Sequence, residues 1–164
     1  MERLWAPWRM QYIEQGGRVQ GCLFCELPAQ NRDEENLILH RGKTGFIMLN
    51  CFPYNSGHLM VAPFKHTADM YELVDDELLE ISRLVRYSVR LLTAAMQPDG
   101  FNLGMNLGRS AGAGVADHVH WHIVPRWDGD TNFMPVIADT KVLPESLQST
   151  YDKLRKKIEE LGAP

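Results

Sequence analysis

Few features of a secreted or membrane protein are present in this sequence. Its three cysteines, Cys22, Cys25 and Cys51, are too few and too unevenly spaced for a disulfide framework, which leaves thiol chemistry or metal binding as the better interpretation. Residues 1–9 lack the apolar core of about 7 to 15 residues that marks a signal peptide. No stretch approaches the roughly 18 consecutive apolar residues of a membrane-spanning helix. We therefore expect a cytoplasmic protein that has no membrane partner.

Positive charge is also scarce. Lysine and arginine number 17 against 21 aspartates and glutamates, for a net charge of -4. Proteins that bind a nucleic acid backbone carry an excess of positive charge, because each contact neutralises a phosphate. No nucleic acid partner is therefore expected, whereas a single nucleotide remains compatible with this charge. With 164 residues and 45% hydrophobic content, the chain is predicted to form one domain around one compact site.

Apolar periodicity divides the predicted domain, residues 1–164, into three parts. These are an irregular arm with a cysteine-bearing loop (1–36), a core (37–126), and a C-terminal loop and helix (127–164). Short apolar runs bounded by turn residues predict strands at 37–40, 45–50, 58–63, 101–107 and 118–125. Steps of three and four residues predict a long helix over 75–96 and a second helix between 147 and 161. We expect an α+β fold with a mainly antiparallel sheet, and a small β-sandwich with added helices is the alternative.

Three histidines alternate with apolar residues in the last predicted strand: His118, His120 and His122. Alternate residues of a strand share one face and lie roughly 6 to 7 Å apart. Each buried imidazole needs hydrogen-bond partners, so core packing does not explain three in a row. The triplet therefore predicts either three ligands to a metal or a nucleophilic histidine flanked by helpers.

The spacing of Cys22 and Cys25 forms a Cys-x-x-Cys pair, which occurs in redox sites and as half of four-ligand zinc sites. A redox pair is expected to follow a strand, and residues 15–21 make a poor strand. His66 follows a predicted strand and is available, with one histidine of the triplet, to complete a Cys2His2 zinc site. Buried inert cysteines remain the other interpretation. A zinc–nitrogen bond is about 2.0 to 2.1 Å long, so the remaining histidines of the triplet would lie outside the coordination shell of a structural metal.

A glycine-rich segment at 108–114 precedes the triplet. It lacks the third glycine of a dinucleotide-binding fingerprint and leads into a strand, where that motif requires a helix. Exposed N–H groups of this segment could form an anion-binding nest, and a flexible connector is the alternative. Neutral imidazole is a competent nucleophile near pH 7, so the pattern favours phosphoryl or nucleotidyl transfer through a covalent histidine intermediate.

The sequence of residues 118–124, His-Val-His-Trp-His-Ile-Val, resembles the signature of the histidine triad superfamily of nucleotide hydrolases and transferases. Residues 57–61 and 63–66 resemble the Gly-His strand and the Pro-x-x-His continuation of that family. The chain is most similar to the branch of fragile-histidine-triad hydrolases and bacterial diadenosine tetraphosphate phosphorylases at residues 4–10, at Asn50 and at residues 126–133.

This resemblance implies a five-stranded antiparallel sheet with one long helix and a C-terminal helix, paired in a homodimer. It implies a nucleotide hydrolase or nucleotidyltransferase that cleaves diadenosine polyphosphates or related adenylyl compounds through a nucleotidyl-histidine intermediate. Hydrolase and phosphorylase share the first half-reaction and are not separated by the sequence. Two alternatives stay open: a metallohydrolase with the three histidines as zinc ligands, and a nucleotide-binding module without catalysis.

Roles for the substrate residues follow from the same resemblance. His120 would attack the α-phosphorus of the nucleotide. His58 and His122 would contact phosphate, and Asn50 would hold the ribose. Asn106 stands at the position of the amide residue that the family places on its phosphate strand.

The resemblance also implies a set of metal ligands. Family members with a Cys-x-x-Cys pair bind structural zinc through it, the Pro-x-x-His histidine and the first triad histidine. The ligands here would be Cys22, Cys25, His66 and His118. The chain departs from the family four residues before the first triad histidine, where Gly114 replaces the usual glutamine or serine and offers only backbone groups.

Overall fold

A five-stranded antiparallel sheet forms the centre of the computed structural model, which describes residues 21–131 and 143–164. The strands are β1 (Ile38–Arg41), β2 (Gly45–Leu49), β3 (Leu59–Pro63), β4 (Gly100–Met105) and β5 (Trp121–Arg126), in the spatial order β1-β2-β3-β5-β4. The α-helices are α1 (Leu23–Ala29), α2 (Asp75–Met96) and α3 (Leu147–Leu161), with short 3-10 helices at Met70–Glu72 and Arg109–Ala111. This arrangement confirms the predicted α+β class and places the histidine strand between β3 and β4.

Every residue of β2 and β3 is buried, because helices cover both faces at the centre of the sheet. Successive residues of a strand face opposite sides of the sheet. Ile47 and Val61 belong to the cluster beneath α2 and α3, whereas Phe46 and Met60 pack with Phe24 of α1 on the other face. The long helices therefore cover one face, and the face that carries α1 is left for the site.

The long helix matches its predicted bounds. At its start the backbone N–H of Val74 donates to the carboxylate of Glu77 (3.0 Å). Three acidic residues occupy the first turn, where their negative charge interacts favourably with the positive end of the helix dipole. It ends at Gln97, which adopts the left-handed conformation (φ 49°) before Pro98. Within the described residues, no helix has the length and apolar character needed to cross a membrane.

Two predictions differ from the structure by more than two residues. Helix α1 lies in the segment predicted to be irregular, because seven residues containing Pro28 are too short for a periodic signal and the helix is held by its buried Phe24. Strand β5 begins at Trp121, because this is its first residue that pairs with β3 and β4. His118 and His120 precede the strand, where the N–H of Val119 donates to the carbonyl of Thr67 (2.7 Å). The motif residues 4–10 and 132–133 lie outside the described residues.

A polar cluster around the buried side chain of Asn55 binds the C-terminal end of β5. Asn55 donates to the carbonyl of Pro125 (3.0 Å) and to the carboxylate of Asp130 (2.8 Å), and the guanidinium of Arg126 also donates to Asp130 (2.6 Å). The hydrogen bond from Arg126 is the main reason that the pKa of Asp130 lies well below its usual range.

This contact predicts a loss of stability in acid. Because the unfolded chain binds the Asp130 proton more tightly, the stabilisation is complete above about pH 4 and is lost as pH falls below that value. We expect Asp130→Asn to be less stable than the wild type at pH 7, and the difference to shrink at pH 3. Urea unfolding midpoints at both pH values measure this, and an equal difference at the two would contradict it.

Candidate active site and metal centre

A pocket opens on the sheet face that carries α1. Four of the predicted substrate residues contribute to its walls: Asn50, Asn106, His120 and His122. Gly114, at the position where the chain departs from the family pattern, also lines it. The structure therefore brings together polar groups that are separated by more than 70 residues in the sequence.

His120 is held in one tautomer. Its Nδ1 lies 2.8 Å from the backbone carbonyl of His118, and because a carbonyl can only accept, Nδ1 carries the proton. The lone pair is thereby assigned to Nε2. The side chain is buried, which lowers the pKa of His120, although the hydrogen bond to His118 acts in the opposite direction. This combination favours a neutral imidazole, the form that acts as a nucleophile.

His122 receives its orientation from His58. The backbone N–H of Tyr54 donates to Nδ1 of His58 (3.0 Å), so the proton of neutral His58 is on Nε2. This Nε2–H in turn donates to Nδ1 of His122 (3.0 Å), which places the proton of neutral His122 on its Nε2. The rings of His120 and His122 are 4.8 Å apart and nearly perpendicular. A lone pair and an N–H donor therefore stand side by side in the pocket.

His58 is fully buried behind His122 and does not line the pocket. Its predicted contact with phosphate therefore stays a prediction, and its observed hydrogen bonds orient His122. Asn50 is close to the same chain of hydrogen bonds, since its side-chain nitrogen lies 3.3 Å from Nδ1 of His58.

A second cluster forms at the other end of the triad, from Cys22, Cys25, His66 and His118. Their ligand atoms all lie within 4.8 Å of one another. The Nδ1 atoms of His66 and His118 are 3.3 Å apart, and the sulfur–nitrogen distances from Cys22 to His118 and from Cys25 to both histidines are 3.3 to 3.6 Å. Zinc–ligand bonds of about 2.05 and 2.3 Å in a tetrahedron place two nitrogens about 3.3 Å apart and a sulfur about 3.6 Å from a nitrogen. The four side chains thus fit zinc.

His118 presents a lone pair to the cluster, whereas the Cys25 thiol would become a ligand only when a bound cation removes its proton. Nε2 of His118 donates to the carbonyl of Pro63 (2.9 Å), so its Nδ1 lone pair points to the sulfurs. Burial, and then the hydrogen bond and charge of Cys22, raise the pKa of the Cys25 thiol to about 11. A metal ion between the two sulfurs would reverse this effect by stabilising thiolates.

The triad is thus divided between two sites. Among the described residues, the group of side chains close enough to share a metal contains His118 but neither His120 nor His122. The alternative of a metallohydrolase with three histidine ligands does not match this geometry.

The sequence is similar to those of known proteins. The HIT domain family model matches residues 31–129. A Mycobacterium tuberculosis protein named AP-4-A phosphorylase is 40% identical over 158 residues, which cover 92% of this chain and 80% of that protein. The chain belongs to the histidine triad (HIT) family. The adenosine 5'-monophosphoramidase of Schizosaccharomyces pombe is 29% identical, covering 84% of this chain and 98% of its own.

Solved structures of HIT proteins share the fold. A histidine triad nucleotide-binding protein from Sulfolobus tokodaii superimposes with a TM-score of 0.69 at 28% identity, over 85% of this chain and 93% of its own. A Zn-bound histidine triad family protein from Mycobacterium smegmatis gives the same TM-score at 22% identity, over 86% and 95%. The predicted family and fold are confirmed.

Two parts of the HIT pocket are not among the residues predicted from the sequence. Tyr54 stacks on His58 with ring centroids 4.7 Å apart, and its backbone orients that histidine. Leu23 and Phe24, the two residues between the paired cysteines, form part of the pocket wall. The turn residues before His58 and the apolar pair inside the Cys-x-x-Cys segment are the features that could have indicated them.

Proposed function

We propose that the chain is a nucleotidyltransferase that cleaves dinucleoside polyphosphates, with adenosine as the nucleoside, and passes the nucleotidyl group from His120 to orthophosphate. The observation that carries this proposal is the buried, neutral His120, whose lone pair is on Nε2 beside the N–H of His122. Similarity to the M. tuberculosis AP-4-A phosphorylase supports phosphate as the acceptor.

In the first step, Nε2 of His120 attacks the α-phosphorus, and the bond from phosphorus to the bridging oxygen breaks. The bridging oxygen leaves with the electron pair and receives a hydrogen bond from Nε2–H of His122. The nucleotidylated imidazole is positive, and its Nδ1–H remains bonded to the carbonyl of His118. That contact stabilises the charge developing on the ring.

In the second step, an oxygen of orthophosphate attacks the same phosphorus, and the phosphorus–nitrogen bond breaks. Its electron pair returns to Nε2, which regenerates neutral His120. From diadenosine tetraphosphate the two steps yield ATP and ADP. Water as the acceptor would yield AMP in place of ADP.

Substrate recognition is assigned to the remaining pocket residues. The side-chain amides of Asn50 and Asn106 offer hydrogen bonds to the ribose and phosphate, and the apolar wall from Leu23 suits a purine base. Because Gly114 has no side chain, contacts to the leaving group are assigned to His122 and the adjoining backbone.

The residues Cys22, Cys25, His66 and His118 would hold a zinc ion, which supplies a structural crosslink between α1 and the ends of β3 and β5. A homodimer is part of the proposal, supported by the position of β4 at an edge of the sheet with Leu103 exposed. A cytoplasmic location stays a prediction.

Product analysis with and without orthophosphate tests the proposal. We expect diadenosine tetraphosphate to give ADP and ATP when phosphate is present, with isotopically labelled phosphate recovered as the β-phosphate of ADP. Anion-exchange chromatography and mass spectrometry separate these products. AMP formation that does not depend on added orthophosphate would indicate a hydrolase. Cleavage of adenosine phosphoramidate but not of diadenosine tetraphosphate would indicate a phosphoramidase. Tight AMP binding without turnover of any of these compounds would indicate a binding module.

A further inference from the structure

One buried side chain belongs to both sites. Phe24 stands between the two cysteines in the first turn of α1 and is 1% exposed. Its ring centroid lies 4.6 Å from that of His120 and 5.3 Å from that of His118, and its side chain also lines the pocket. Phe24 is therefore in contact with the nucleophile and with a ligand of the metal cluster.

Helix α1 does not fix the position of Phe24 by itself. The helix has seven residues, contains Pro28, and has no side-chain cap at Cys22. Helices of this length are marginal in water. The first turn is closed by the hydrogen bond from the N–H of Cys25 to the carbonyl of Cys22 (3.0 Å), and both cysteines point to the cluster. The rotation of α1, and with it the direction of Phe24, is thus tied to the metal ligands.

Two aromatic rings contact the imidazole of His120. The ring of Phe24 packs against it at an interplanar angle of 35°, and the ring of His122 lies at 75° to it. The hydrogen bond that sets the tautomer is accepted by the backbone carbonyl of His118. Among the described residues, therefore, the groups with these contacts to His120, apart from His122, either belong to the metal cluster or lie between its cysteines.

We propose that Phe24 is a positioning residue that transmits the state of the metal cluster to His120. With zinc bound by Cys22 and Cys25, the ring of Phe24 holds the imidazole of His120 with Nε2 directed into the pocket. Without zinc, the first turn of α1 loses its attachment to His66 and His118, and His120 loses its single orientation. The metal cluster then controls the orientation that His120 needs for nucleophilic attack, in addition to crosslinking the fold. The effect of Phe24 on catalysis rests on the proposed function. The effect of the metal on the orientation of the His120 imidazole does not depend on that function.

The test compares Phe24→Leu with Phe46→Leu in zinc-loaded protein. Phe46 is an equally buried phenylalanine that packs with Phe24 in the core, and its ring contacts those of Phe24 and Phe64. Nitrogen-15 NMR of the histidine rings reports the tautomer of His120, whose signals are assigned by comparison with His120→Asn. Zinc content, kcat and KM are measured on the same samples.

We expect Phe24→Leu to keep its zinc while the His120 signals move from the pure Nδ1–H form toward a mixture of tautomers. We expect kcat to fall roughly 10- to 100-fold, more than KM changes, because a small misplacement of a reacting group costs about that much. Phe46→Leu should keep the wild-type tautomer and a kcat within about two-fold. Removing zinc from the wild type with a chelator should move the His120 signals in the same direction, with little further change in Phe24→Leu.

Equal tautomer populations and kcat values in the two leucine variants would overturn the positioning role. A wild-type His120 signal that is unchanged by zinc removal would overturn the link to the metal. If Phe24→Leu does not fold, Phe24→Met is measured in its place, because the flexible methionine side chain adapts to an irregular cavity. Absence of turnover in every sample, with the tautomer changes as expected, would refute the proposed function and leave the positioning role intact.

Discussion

Replacing His120 with alanine is expected to lower the rate of nucleotide cleavage on the order of 10⁴-fold, because it removes the atom that attacks phosphorus. Its neighbour His122 cannot substitute, since Nδ1 of His122 accepts the hydrogen bond from His58 and its Nε2 carries the proton. Steady-state rates and acid-quenched labelling measure the effect. Labelled nucleotide should be trapped on the wild type and should be absent from His120→Ala.

The matched control for this prediction is His40→Ala. His40 lies in β1, is half-buried, and does not line the pocket. We expect its removal to leave both turnover and the covalent label in place. Turnover by His120→Ala near the wild-type rate, or label recovered on another histidine, would refute the assigned nucleophile.

Replacing Cys22 and Cys25 together with serine is expected to remove one zinc per chain and to lower the melting temperature by about 10 °C. A ligand present at about a thousand times its dissociation constant stabilises the folded state by about 4 kcal/mol, and in a chain of this size each kcal/mol is worth about 2 to 4 °C. Metal analysis and thermal unfolding measure the two effects. A chelator should lower the melting temperature of the wild type and have little effect on the double variant.

Cys51→Ser is the control for the cysteine variant. Cys51 lines the pocket and is not part of the metal cluster, so its replacement should leave the zinc content unchanged. If the double variant retained its zinc while His122→Ala lost it, the metal would be bound by the triad, and the assignment of the two sites would be wrong.

Much of the fold follows from local patterns. The predicted helix over 75–96 matches α2 because each turn carries apolar residues on one face, and the strands at 45–50 and 58–63 match because turn residues bound them. Helix α1 was not predictable in this way. Its seven residues have no useful periodicity, and it is held by Phe24 and by contacts to His66 and His118, which are distant in the sequence.

The start of β5 shows a related limit. Alternation predicts that the strand begins at His118, but a strand requires partners, and its pairing with β3 and β4 begins only at Trp121. His118 and His120 therefore precede the strand, and His122 lies within it.

By itself, the sequence determined the family and the identity of the chemically capable residues, because the histidine alternation and the Cys-x-x-Cys spacing are local and specific. Only the tertiary structure decided which nitrogen each histidine presents, because a tautomer is selected by hydrogen bonds to groups that are near in space. The carbonyl that accepts from His118 belongs to Pro63, 55 residues away in the sequence, and the sulfur of Cys22, near the other ring nitrogen of His118, is 96 residues away. No local pattern of residue types contains those contacts, so the choice of tautomer is a property of the folded chain.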